Sequence, residues 1–167
     1  MTTLTEGNLQ ITFPADAKAR KFDDASHGLS HCMKAVDFIA ELKDRCYFIE
    51  FKDPRKPGLP QKERDEYVRK FLAGNIDEDF KYKCRDTFLY EWAAERVAKP
   101  IHYLVLVAID TLTDAELLAR TDDLKRKIPL NGPASGAWKR SFIVGCAVFN
   151  IAAWNKHMSE YPVSRMP

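Results

Sequence analysis

The sequence predicts an α/β protein with a mixed central β-sheet, in which an antiparallel hairpin is followed by crossover helices. Two apolar stretches, residues 33–42 and 45–52, are separated by a short polar step, and Pro54 ends the second, which together indicate a hairpin. Residues 101–109 form a near-continuous apolar run after two helical segments, as is typical of a strand buried on both faces and reached by a crossover. The length of 167 residues fits a single domain spanning 1–167.

The elements before and between these strands follow from periodicity and stop signals. Residues 9–13 alternate apolar and polar side chains, which predicts a half-buried strand. Residues 15–31 are polar and predict an irregular or weakly helical connection. Apolar side chains recur at helical spacing over 61–73 and again over 79–98, and Gly74-Asn75 separates the two predicted helices.

The last third of the chain predicts one more helix and one more strand. Thr113 and Glu116 have the spacing of a capping box, which indicates a helix from Thr113 to Lys127. A turn-rich loop is expected from Asn131 to Gly136. The apolar stretch 141–153 predicts a final strand with a bend at Gly145. Helices therefore pack on a mixed sheet.

Composition restricts the classes of function. Apolar residues make up 46% of the chain and charged residues 30%, and 26 basic side chains against 24 acidic ones leave a net charge of +2. Any nucleic-acid surface must therefore be a local patch. No stretch approaches the roughly 20 apolar residues that cross a bilayer, and no secretory signal pattern is present. With four scattered cysteines, these features predict a cytoplasmic protein with no membrane partner.

One acidic residue and one lysine stand out because they interrupt an apolar strand. The acid-x-lysine pattern occurs five times, but only Glu50 and Lys52 lie inside such a run. Side chains alternate along a strand, so both would lie on one face. Burying two charges is costly unless they pair or bind a metal. The pattern therefore predicts either a functional site or a structural ion pair.

The hairpin brings a second carboxylate to the same place. If the turn centres on Lys43-Asp44, residues whose numbers sum to 87 pair, and Asp37 lies opposite Glu50. Directly opposed residues have Cβ atoms about 4.5–5.5 Å apart. Two carboxylates at that separation repel one another unless a divalent cation lies between them. Oxygen ligands of this kind suit Mg²⁺ or Mn²⁺.

The run from Lys34 to Asp53, with Asp37 followed after twelve residues by Glu50-x-Lys52, resembles the PD-(D/E)XK nuclease superfamily. The resemblance covers residues 33–109 and implies a restriction-endonuclease-like fold. It implies that Asp37, Glu50 and the Phe51 carbonyl hold Mg²⁺ or Mn²⁺, and that Asp37, Glu50 and Lys52 are the catalytic residues, with Lys52 positioning or activating water. Val36 stands where the family motif has proline.

The same resemblance implies a nuclease, a hydrolase that cleaves phosphodiesters, with DNA favoured over RNA. Lys81, Lys83 and Arg85 begin the second predicted helix and are candidates for phosphate contact, since the crossover helix flanks the metal site in that fold. The alternative is a non-catalytic nucleic-acid-binding or protein-assembly module with the same fold. A chain of this length has little room for a specificity domain, which favours a homodimer or a partner subunit.

Overall fold

The computed structural model describes residues 1–55, 57–130 and 132–166. Their β-strands are β1 (Thr2–Glu6), β2 (Leu9–Phe13), β3 (Lys18–Lys21), β4 (Phe38–Glu41), β5 (Cys46–Lys52), β6 (Ile101–Val107), β7 (Gly145–Phe149) and β8 (Val163–Arg165). Their α-helices are α1 (Gln61–Leu72), α2 (Asp77–Ala93), α3 (Asp114–Lys127) and α4 (Ile151–His157).

A five-stranded mixed sheet forms the centre of the molecule, with its strands in the order β3-β4-β5-β6-β7. The pairs β3-β4 and β4-β5 are antiparallel, whereas β5-β6 and β6-β7 are parallel. The helices α1 and α2 connect β5 to β6, and α3 connects β6 to β7. The predicted α/β class, the mixed sheet and the helical crossover are therefore confirmed.

The hairpin has the predicted register but a shorter first strand. Phe38 pairs with Ile49 and Ala40 with Tyr47, so paired numbers sum to 87 as expected. The prediction of a strand over all of 33–42 was wrong, because residues 33–37 are irregular. Two backbone N–H groups of this segment donate hydrogen bonds to side chains of α2: Lys34 N donates to Asp86, and Val36 N donates to Thr87 Oγ1 at 3.1 Å.

The helices α1 and α3 lie where they were predicted. The capping box at Thr113 is complete, since the Thr113 hydroxyl accepts from Glu116 N and the Glu116 carboxylate accepts from Thr113 N. The second predicted helix was too long, because α2 ends at Ala93. There the chain turns through Glu95, whose φ of 59° is left-handed, and Arg96 N donates to the carbonyl of Glu91.

Two further segments differ from their predictions. Residues 18–21, expected in an irregular connection, form the short edge strand β3, whose polar residues gave no apolar signal. The predicted strand 141–153 is interrupted at Asn150. Its side chain accepts a hydrogen bond from Ala153 N at 2.8 Å and caps α4, so only 145–149 remain extended.

Each face of the central sheet carries its own hydrophobic cluster. One cluster lies under α2 and α3 and includes Ile39, Phe48 and Phe80. The other lies against a second, antiparallel sheet, ordered β1-β2-β8, and includes Phe38, Ile49 and Trp154. Across the described ranges, no helix has both the length and the apolar character needed to span a membrane.

Candidate functional site

The end of the β4-β5 hairpin brings Asp37, Glu50 and Lys52 to the face of the sheet that α2 covers. Glu50 follows Phe48 by two residues, and Asp37 precedes Ile39 by two, and both of these apolar residues belong to the cluster beneath α2. Both carboxyl groups are buried, with Glu50 fully inaccessible and Asp37 3% exposed. Asp37 lies one residue beyond the four paired positions of the ladder.

Two lysines neutralise Glu50. Its Oε1 lies 2.6 Å from Lys52 Nζ and 2.8 Å from Lys83 Nζ, and Lys83 comes from the centre of α2. Neither ammonium group meets this oxygen with hydrogen-bond geometry, and Oε2 has no hydrogen-bond partner among the described residues. Glu50 is therefore held by charge, and one of its oxygens remains free to take a further ligand.

Asp37 is held by the backbone of the opposite strand. Its Oδ2 accepts a hydrogen bond from Phe51 N at 2.6 Å, which replaces the ladder bond that a longer β4 would have made. Burial, and then the charge of Glu50, raises the pKa of Asp37 to about 8, although Lys83 and the Phe51 N–H partly oppose the shift. Asp37 therefore keeps a proton near neutral pH.

The remaining charges follow the same physical causes. Burial raises the pKa of Glu50, while the neighbouring Lys52 and Lys83 act to lower it. Burial alone would lower the pKa of Lys83, but Glu50 and Asp37 outweigh that effect, so its pKa is raised and Lys83 stays protonated. The site is therefore a compact set of two acids with raised pKa values and two lysines.

The donor set fits a hard divalent cation in part. The amide and carbonyl of one strand residue point to the same side, so the Phe51 carbonyl lies on the Asp37 side of β5. With Asp37 and the free oxygen of Glu50, it would supply three oxygen ligands of the kind that Mg²⁺ and Mn²⁺ accept. Within the described residues, no three acidic, histidine or cysteine side chains converge, so two carboxylates are the largest such set here.

The lysines and arginine predicted to contact nucleic acid do not form one surface. Lys83 points into the site, where it is 11% exposed and pairs with Glu50. Lys81 pairs with Glu78 and lies over the ring of Tyr82. The guanidinium of Arg85 also contacts that ring, 4.7 Å from its centre. Lys83 is therefore a residue of the site itself.

Two further residues near the site were not assigned from the sequence. Tyr67, from α1, has a buried hydroxyl without a hydrogen-bond partner in the described chain, and burial followed by the charge of Glu50 raises its pKa. Asp23 lies 3.8 Å from Lys83 Nζ, whereas Asp24 accepts from Ser26 and caps a short 3₁₀ helix. Of the neighbouring acids Asp23 and Asp24, only Asp23 therefore approaches the site.

A cleft of about 340 Å³ lies beside this cluster, and Lys52 is the member of the cluster that lines it. Its lining includes Lys52, Tyr67 and Leu59. The side chain of Lys52 is 29% exposed, against 11% for Lys83 and none for Glu50, so Lys52 is the member that an incoming molecule meets first.

Comparison with known proteins identifies no relative of this chain. No protein-family model, no curated protein and no solved structure matches the chain.

Proposed function

We propose that this chain is a metal-dependent phosphodiester hydrolase of the PD-(D/E)XK type, acting on DNA in preference to RNA. The observation that carries the proposal is the buried pair Asp37 and Glu50, on one face at the end of a hairpin, beside the partly exposed Lys52. Perturbed, buried ionisable groups next to a cleft are typical of functional sites. The antiparallel hairpin followed by a helical crossover to a parallel strand supports a restriction-endonuclease-like core.

The chain's own residues divide into ligands and positioning groups. Asp37, Glu50 and the Phe51 carbonyl would hold Mg²⁺ or Mn²⁺. When bound, the cation would polarise the phosphodiester and make water more acidic. Lys52, at the mouth of the cleft, would orient the attacking water by donating a hydrogen bond to it. Lys83 stays behind Glu50 as a fixed positive charge.

One observation favours a second function. Lys52 and Lys83 both contact the same oxygen of Glu50, so that carboxylate is already neutralised by the protein. A non-catalytic nucleic-acid-binding or assembly module would keep such a cluster as a structural ion pair. It would then have no need of a cation.

Thermal unfolding with and without Mn²⁺ tests the cation site. A ligand that binds only the folded state raises the melting temperature by mass action. We expect Mn²⁺ to stabilise the unmodified chain and to have little effect on Asp37→Asn, which preserves the size of the side chain and an oxygen acceptor for Phe51 N. If millimolar Mn²⁺ does not change the melting temperature of the unmodified chain, the assignment of these residues as metal ligands is refuted.

Cleavage of labelled single-stranded DNA, duplex DNA and RNA tests the chemistry. We expect Lys52→Met to reduce the cleavage rate by about 10²–10⁴-fold, as loss of a positioned acid-base group does, while leaving Mn²⁺ binding in place. Lys99→Met is the matched control: Lys99 is 30% exposed and pairs with Glu41 at the other end of the same hairpin. Equal rates for Lys52→Met and Lys99→Met would contradict the role of Lys52, and no cleavage of any substrate would favour the binding module.

A further inference from the structure

A second, larger cleft lies beside the site and is lined by arginines. It has a volume of about 960 Å³ and runs between α1 and the segments that follow the carboxyl ends of β5 and β6. Arg64 and Arg69 come from α1, Arg55 from the loop after β5, and Ile109 and Thr111 from the segment after β6. Open α/β sheets bind ligands at this edge.

The cleft has more basic than acidic side chains: three arginines face Asp65 and Asp110, the partner of Arg55. Arg69 has neither an ion pair nor a side-chain hydrogen bond in the part of the chain that the structure describes, and Arg64 donates through Nε to the Leu59 carbonyl at 2.9 Å. Arg55 pairs with Asp110 at 2.8 Å in an exposed contact, which is a weak one. Among the described residues that line the cleft, Asp65 is the one acid. The cleft is therefore positively charged.

The arginine-lined cleft lies next to the cleft at the site. Pro54 lines both, and Lys52 and Tyr67 line the smaller one. Arg64 and Arg69 are five residues apart on α1, which corresponds to about 7.5 Å along the helix axis. Two nucleotide steps of a duplex strand rise by about 6.8 Å. Phosphates two nucleotide steps apart on one strand can therefore meet the two arginines.

We propose that this cleft binds the sugar-phosphate backbone of the nucleic-acid strand that enters the site, with Arg64 and Arg69 as its main phosphate contacts. The proposal rests on the proposed phosphodiester substrate and adds the path of its strand, which runs along the arginine-lined cleft to the site. Guanidinium groups match phosphate oxygens with two parallel hydrogen bonds, and backbone contacts fix the register of a strand. Of the α2 lysines, Lys83 is buried against Glu50, and Lys81 pairs with Glu78 outside this cleft.

Binding without cleavage tests the path. Fluorescence anisotropy of labelled single-stranded DNA, duplex DNA and RNA would be measured in EDTA over a range of salt concentrations. We expect Arg64→Gln/Arg69→Gln to weaken binding about tenfold or more, and to reduce the slope of log affinity against log salt by about 1.4–1.8, as the loss of two phosphate contacts does. Lys125→Gln/Arg126→Gln removes the same charge from the exposed end of α3 and should bind as the unmodified chain does.

The outcomes separate this inference from the proposed hydrolysis. Equal binding by the two double variants would overturn the path, and so would an unmodified chain that binds none of the three nucleic acids. Cleavage that depends on Lys52, with binding that ignores Arg64 and Arg69, would overturn the path alone. Binding that depends on the two arginines without any cleavage would uphold the path and refute the hydrolase. The nucleic acid that shows the largest loss in the arginine variant identifies the strand.

Discussion

At the scale of single residues, the site is a problem of buried charge. Two acids and two lysines share a largely buried space, and Asp37 keeps its proton near neutral pH. A divalent cation would have to displace the proton of Asp37. Cation affinity should therefore rise with pH, because the ligand form of Asp37 is the deprotonated one.

The retained proton of Asp37 gives a prediction for stability. Its folded pKa of about 8 lies above the ordinary value of 3.8, so its contribution to stability is full below about pH 4 and is lost as the pH rises through 8. In EDTA, we expect the stability of Asp37→Asn relative to the unmodified chain to increase by roughly a few kcal/mol as the pH rises from 5 to 8. Urea unfolding at several pH values measures this difference.

The control for that experiment is Asp44→Asn. Asp44 is exposed, and its hydrogen bond with Arg45 lowers its pKa, so it stays ionised in both states across pH 5–8. The stability difference for Asp44→Asn should therefore not change over this range. A difference for Asp37→Asn that is equally flat would mean that Asp37 is ionised in the folded metal-free chain.

Strand alternation and hairpin register were enough to predict that Asp37 and Glu50 lie together. Both signals are local, since they depend on the residues of one hairpin. Lys83 and Tyr67 could not be assigned in this way. Their positions depend on how α1 and α2 pack over the sheet, and a helical lysine in a mixed sequence looks the same whether it faces water or a buried carboxylate.

At the scale of elements, a buried ion pair holds α2 against α3. Asp77 begins α2, Arg120 lies in the middle of α3, and both side chains are at most 5% exposed. Arg120 also contacts Asp123 at 2.7 Å and lies over the ring of Phe71. Gly74 approaches the same pair so closely that a Cβ atom there would lie 3.2 Å from both partners.

Removing one partner of this pair should be costly. Arg120→Met leaves the Asp77 carboxylate buried, and Lys127 Nζ, at 4.0 Å, is then its one cationic partner in the described part of the chain. We expect a loss of about 3–5 kcal/mol in the free energy of unfolding, measured by urea titration. The double variant Asp77→Asn/Arg120→Met should lose less than the sum of its two single variants.

Arg126→Met is the control on the same helix. Arg126 is 73% exposed and pairs with Asp123 at the surface, where ion pairs contribute at most about 1 kcal/mol. If Arg120→Met cost no more than Arg126→Met, the buried pair would not be what joins the two helices.

Elements were predictable where their signals were strong and local, as the capping box of α3 and the apolar run of β6 show. The face through which α2 packs was predicted only in part. Its sequence pattern favoured Leu89 and Trp92 as packing residues, yet both are more than half exposed. The helix packs through Phe80 and Cys84 and also buries two polar residues. Thr87 accepts a hydrogen bond from Val36 N, and Glu91 pairs with Arg20 and Arg96.

At the scale of the whole molecule, the two faces of the central sheet are coupled through shared strands. The strand β5 sends Phe48 to the cluster under the helices and Ile49 to the cluster under the small sheet. The small sheet could not be read from the sequence, because β8 pairs with β2 although Val163 and Ile11 are 152 positions apart. Arg165 also contacts Asp53, one residue after Lys52, at 2.6 Å.

This sharing of strands predicts that both faces unfold in one transition. Trp154 is fully buried in the cluster under the small sheet, whereas most of the α-helix lies on the other face. In Trp92→Phe/Trp138→Phe, Trp154 is the remaining tryptophan, so its fluorescence reports one face and far-ultraviolet circular dichroism reports mainly the other. Since no cluster can be lost without β4, β5 and β6, we expect the two urea midpoints to coincide. Separate midpoints would show that the small sheet detaches on its own.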